Sequence, residues 1–135
     1  MFLGMGMFLI GATSYADASL LSIGRNAASA FFRELKVDER CTGFVPRHCK
    51  KEAEGKLSCV KNESSPGPAR YWCKFADGLL DVEGESAQNA FENFRVEGSL
   101  DGMGNTTKEA YGILTCTYEH RWDAPTLFGC QLLRP

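Results

Sequence analysis

The sequence predicts an α+β fold: a tandem duplication of a helix–β-hairpin (αββ) unit. The two hairpins are expected to join into one four-stranded antiparallel sheet with two helices on one face, stapled by disulfides. Three observations predict it. A nine-residue segment recurs at residues 51–59 and 108–116 with six identities, where chance gives about one. Ala28, Phe31, Phe32 and Leu35 are matched by Ala87, Ala90, Phe91 and Phe94, both sets spaced as one face of a helix. Cys59/Cys73 and Cys116/Cys130 are cysteine pairs of equal spacing, 57 residues apart along the chain.

Composition bounds what such a chain can be. With 135 residues, 44% hydrophobic and 24% charged, it has enough apolar surface for one domain and is not disordered. A net charge of −2 supplies no basic field, so no nucleic acid partner is expected. No apolar run reaches the 18 or so residues needed to cross a bilayer, so no span is expected in the mature chain.

The elements follow in order. Residues 2–12 are apolar, and Ser14 and Ala16 offer small residues at a signal-peptidase site. Residues 1–16 therefore read as a signal peptide and 17–135 as a single domain, secreted or periplasmic, although no Lys or Arg precedes the apolar stretch. The first helix is expected near residues 19–35, capped by Asp17 or Ser19. A connection over residues 40–50 carries Cys41 and Cys49, which have no counterpart downstream. Strands follow near 55–62 and 69–76, then a polar joint over 77–85 containing Gly78, Asp81 and Gly84. The second unit repeats the plan. Its helix lies near residues 87–94 with Ser86 as cap, and its strands near 111–119 and 126–133. The repeats thus occupy about 19–76 and 84–133. Two separate beads, each held by its own bridge, are the alternative arrangement.

Six cysteines allow fifteen pairings, but equivalent positions in duplicated units should pair alike. That gives Cys59–Cys73, Cys116–Cys130 and, by subtraction, Cys41–Cys49. Alternation places Leu57, Cys59, Tyr71, Cys73 and Phe75 on one inward face, as it does Leu114, Cys116, Phe128, Cys130 and Leu132. No Cys-x-x-Cys spacing occurs, and export favours oxidation, so neither a metal site nor a catalytic thiol beside His48 is expected. No cofactor motif is present. Residues 98–104 are glycine-rich without a phosphate-loop Lys, and no Ser-His-Asp order carries a supporting motif.

The candidate binding residues are His120, Arg121, Trp122 and Asp123 in the second hairpin loop, since Trp and Arg anchor many protein interfaces. The corresponding first loop, residues 62–68, is chemically plain. Arg40, Arg47, His48, Lys50 and Lys51 form a basic segment, diluted by Glu39, Glu52 and Glu54. Trp72 should face outward from its strand. Asn62 and Asn105 head formal glycosylation triplets. In outline, a helix on an antiparallel sheet with two disulfide hairpins resembles the cystatin architecture, without that family's Gln-x-Val-x-Gly loop, and no site residue follows from it. The function expected is an exported, non-enzymatic binding module, inhibitor-like or envelope-associated, meeting another protein through the second hairpin loop. A small secreted hydrolase with a cleft between the repeats and His120 or His48 as base is the alternative, and a structural envelope component a third.

Overall fold

The computed structural model describes residues 19–64 and 66–135, so the signal peptide expected over residues 1–16 lies outside the described residues. Along the chain run β1 (Ser19–Gly24), α1 (Arg25–Glu34), β2 (Arg40–Thr42), β3 (Arg47–Asn62), β4 (Arg70–Phe75), β5 (Leu80–Glu83), α2 (Glu85–Asn93), β6 (Ser99–Leu100), β7 (Asn105–His120) and β8 (Leu127–Leu133). All eight strands belong to one antiparallel sheet ordered β1-β8-β7-β3-β4-β5, with β2 alongside β3 and β6 alongside β7.

The expected four-stranded sheet with two helices on one face is therefore overturned. The protein is mostly β, with helices of only 10 and 9 residues. The reason lies in pairings that local sequence does not advertise. Residues 19–24, expected to open the first helix, are extended because they bond to β8, with Ile23 opposite Cys130. Residues 80–83, expected in a polar joint, bond to β4 with Val82 opposite Cys73. The β3 and β7 strands also run to 16 residues each, well upstream of the hairpin strands foreseen.

The β3–β7 ladder organises the whole sheet. It runs from Arg47 opposite His120 to Asn62 opposite Asn105, with Gly55 facing Gly112 at its midpoint. A Cβ on Gly112 would come within 2.5 Å of the Leu133 carbonyl oxygen, so the close crossing there requires glycine. The end strands are joined differently: β5 folds back in a tight hairpin on its neighbour β4, with Phe75 opposite Leu80, whereas β1 crosses to the distant β8. Backbone bonds from Lys36 to Leu79 O and from Arg95 to Leu20 O, both 2.8 Å, repeat that crossing. Two independent beads are thereby excluded.

Alternation decides which face is buried. Leu57, Cys59, Cys73, Phe75, Leu114, Cys116, Cys130 and Leu132 share one face and are buried. The helices cover that face. α1 packs on β8 and β7, α2 on β4 and β3, and the two helices touch. Phe31 and Phe91 enter this core, each contributing roughly 1.5–3 kcal/mol by burial. The three disulfides are Cys41–Cys49, Cys59–Cys73 and Cys116–Cys130. The latter two lie beneath the helices: Ala87 O is 3.7 Å from Cys73 Sγ, and Ala28 O is 3.5 Å from Cys130 Sγ.

Both helices stop in the same way. Lys51 reaches from β3 to the last carbonyls of α1, donating to Phe32 O at 2.7 Å and Leu35 O at 3.0 Å. Lys108 does the same from β7, to Phe91 O at 2.9 Å and Phe94 O at 3.3 Å. Each ammonium donates to carbonyls at the end of its helix, of which Leu35 O also accepts from Val37 N and Phe91 O from Phe94 N, and it meets the negative end of the helix dipole. It also sits over the Phe32 or Phe91 ring, at 4.9 and 4.5 Å from the centroid. Lys51 is therefore a helix-capping residue, separate from the basic segment in which it falls by sequence. At the N-termini, Gly24 and Gly84 occupy the cap positions without a side-chain cap, and Ser86, the expected cap, lies within α2.

Candidate functional site

The face of the sheet away from the helices is open to solvent. Over its middle, polar side chains pair across β3 and β7. Thr115 donates to Glu52 at 2.9 Å, and Tyr111 to Glu54 at 2.8 Å, a bond to a carboxylate that raises the phenol above its ordinary range. At one end this carpet gives way to a groove of about 720 Å³. Its walls come from four strands: Arg40 and Thr42 of β2, His48 and Lys50 of β3, Thr117 and Glu119 of β7, and Leu127 and Gly129 of β8.

Register explains why these residues meet. Arg40 lies opposite Lys50, Lys50 opposite Thr117, and Thr117 opposite Gly129, so one row crosses all four strands. The next row holds Thr42, His48, Glu119 and Leu127. Gly129 makes the depression. An added Cβ would meet nothing nearer than Thr117 Oγ1 at 3.9 Å, so the missing side chain is space rather than a packing requirement.

The second hairpin loop borders the groove. Arg121 folds back onto Glu119, with Nε 3.2 Å from Oε1 and Nη2 3.3 Å from Oε2. His48 Nε2 approaches the same carboxylate at 3.5 Å. Trp122 is 81% exposed, and Asp123 is also exposed. His120 turns to the other side of the loop, where Nδ1 lies 3.1 Å from Thr126 Oγ1. Arg121 is thus placed at the groove beside Glu119, Trp122 stands clear of the surface, and His120 is directed elsewhere. Because His48 and His120 sit on successive rows of opposite facing, their contacts with Glu119 and Thr126 do not converge on one point.

The sequence treated the second hairpin loop and the basic segment as separate candidates, and pairing of Arg47 with His120 makes them one surface. Leu127, Thr117 and Gly129 were missed altogether. The only available signal was a glycine within β8 where the matching strand has Trp72. Trp72 does face outward, partly buried, opposite Val60 and Glu83. Phe44 and Val45 are exposed in the turn between β2 and β3, and Arg47 follows them in the His120 row, facing away from the groove. The two glycosylation triplets meet one another: Asn62 Nδ2 donates to Asn105 Oδ1 at 2.6 Å, and Asn105 Nδ2 to Asp101 Oδ2 at 2.7 Å.

Among the described residues, the sole cluster with metal-ligand geometry is Glu39, Cys41 and Cys49, whose sulfurs are joined to each other. No described helix is long and apolar enough to cross a membrane. Three disulfides in a domain of this size are compatible with an extracellular location. Comparison with known protein families, curated proteins and solved structures finds no match, so the outline resemblance to cystatins gains no support from it.

Proposed function

We propose that the protein is an exported, disulfide-stabilised binding module derived by internal duplication, and that it recognises its ligand through the groove at the Gly129 end of the sheet. One observation carries this reading. A depression of ligand size is cut into an otherwise paired polar surface, with two cations and an exposed Leu127 on its walls. The Glu119–Asp123 segment forms its border, where Trp122 and Arg121 offer the groups that anchor interfaces. Binding fits better than hydrolysis, because the two histidines do not share a site with a common nucleophile. Disulfides suit a small module working in an oxidising compartment.

The test uses Gly129→Trp, which copies onto β8 the indole found at residue 72. A Cβ at this position meets nothing nearer than 3.9 Å and the position faces the open groove, so the fold is expected to stay intact, which circular dichroism of the variant checks. A panel of small anionic and zwitterionic amphiphiles, read by thermal shift, should stabilise the native protein and lose that effect in the variant. Ligands that stabilise both proteins equally would refute the groove as the binding site.

A further inference from the structure

Resting on that reading, we infer that the groove engages the anionic headgroups of a lipid surface, with Trp122 and Phe44 entering the interfacial layer around it. The first support is electrostatic. Arg40 and Lys50 are directly opposed cross-strand neighbours on the open face, a like-charge arrangement that costs stability unless something answers it. Neither has an ion pair within 4 Å among the described residues. Glu119 is held by Arg121 and His48, and Glu52 accepts from Thr115. Asp38 and Glu52 line a neighbouring cleft with both cations, but neither carboxylate comes within ion-pair distance of them. A phosphate or other anionic headgroup between Arg40 and Lys50 supplies the missing counter-charge.

The second support is the placement of apolar side chains. Arg47 opposite His120 sets the β2–β3 turn beside the β7–β8 loop at the same end of the ladder. Phe44, at the first tip, is 85% exposed, and Trp122, at the second, is comparably so. Arg121, held by Glu119, is adjacent to Trp122 in the second tip. Exposed aromatic side chains at the same end of the sheet as the unpaired Arg40 and Lys50 suit an interface with an apolar interior and an anionic skin. A headgroup in solution would use the cations and leave the two rings in water.

The experiment uses the oxidised protein carrying Trp72→Phe, so that Trp122 is the only indole. Vesicles of phosphatidylcholine with about one-third phosphatidylglycerol are compared with pure phosphatidylcholine. Co-sedimentation and a blue shift of Trp122 emission are expected with the anionic vesicles alone, weakening as salt rises. Arg40→Glu and Lys50→Glu should each weaken binding by roughly fivefold or more, the scale expected for one cation near such a surface. Equal binding to both vesicle types would overturn the inference, as would vesicle binding with unchanged Trp122 emission. Glycerol phosphate that binds as tightly as vesicles would reduce the site to a soluble-anion pocket and also overturn it. Failure here is separable from failure of the groove itself: amphiphile binding lost in Gly129→Trp would leave the groove standing without the membrane.

Discussion

The two ends of the β3–β7 ladder share a frame and differ in what they show to solvent. At one end the row Arg40, Lys50, Thr117 and Gly129 crosses the open face. At the other, the corresponding row is Ser99, Thr107, Val60 and Trp72. Two cations are replaced by hydroxyls, and an absent side chain by an indole. The tips differ as well. The β2–β3 turn is closed by Cys41–Cys49, whereas the β6–β7 turn has Leu100 and Thr106 at those places and closes through the Asp101 carboxylate. Meanwhile the buried face is matched residue for residue: Cys73 with Cys130, Phe75 with Leu132, Lys51 with Lys108. The differences between the two ends fall on the open face and at the tips, where core packing does not constrain them, and the ligand-sized depression is among them.

The largest expected effects test the shared frame. Replacing Cys59 and Cys73 together by Ala should destabilise the protein by about 3 kcal/mol or more, and Cys116 with Cys130 by a similar amount. Removing Cys41–Cys49, which closes a shorter loop at a tip, should cost less. Equilibrium denaturation checks this. A strong asymmetry between the two core bridges would break the equivalence of the halves.

Next comes a pair of glycines. Gly112→Ala places a methyl against Leu133 O and the Leu132 side chain, and should cost about 2 kcal/mol as overpacking. Gly129→Ala adds a methyl in open space on a strand, so its stability should equal or exceed the native value. Urea midpoints for the two variants distinguish a structural glycine from one that shapes a groove. Equal losses would remove that distinction.

The matched lysines sharpen the comparison further. Lys51→Met and Lys108→Met keep the aliphatic stem but leave two helix-end carbonyls without their charged donor, at a cost of about 1.5 kcal/mol each. Denaturation of the single and double variants should give near-additive losses, since the two lysines share no partner.

How much of this was legible follows from what each element depends on. The helix stripes at Phe31 and Phe91 and the inward cysteines could be read because they rest on spacing within one segment, and the disulfide pairing because the two matching segments repeat the same cysteine spacing. β1 and β5 could not. Both are short: Ser19–Gly24 becomes a strand only by bonding to the distant β8, and Leu80–Glu83 by folding back on β4 from a segment whose Gly78, Asp81 and Gly84 read as a polar joint. The upstream parts of β3 and β7 were hidden because Arg47–Glu54 and Asn105–Ala110 are rich in polar residues facing an uncovered side of the sheet. Arg121 and Trp122 drew notice as a local cluster. Arg40 was noticed only within its basic segment and Gly129 not at all; they are 89 positions apart in sequence and are joined only through register.

The smallest effect belongs to the tip that lacks a disulfide. Asp101 Oδ1 accepts backbone N–H bonds from Met103 at 2.7 Å and Asn105 at 3.1 Å, and Oδ2 accepts from the Asn105 amide. The Met103 bond, followed by the Asn105 side chain, holds the carboxyl below its ordinary value. A carboxyl whose folded pKa is depressed contributes stability above its unfolded pKa of about 3.9, and loses it as pH falls through the folded value. Asp101 is fully exposed, so solvent screens the effect and the contribution is small. The native protein should therefore exceed Asp101→Ala in stability at neutral pH, with the gap closing once the medium is more acidic than the folded pKa. Carboxyl titration by NMR should place Asp101 below the usual aspartate range. A value at or above it would mean that the β6–β7 turn is held by something other than this carboxylate, and the contrast between a sulfur-closed tip and a carboxylate-closed tip would fall.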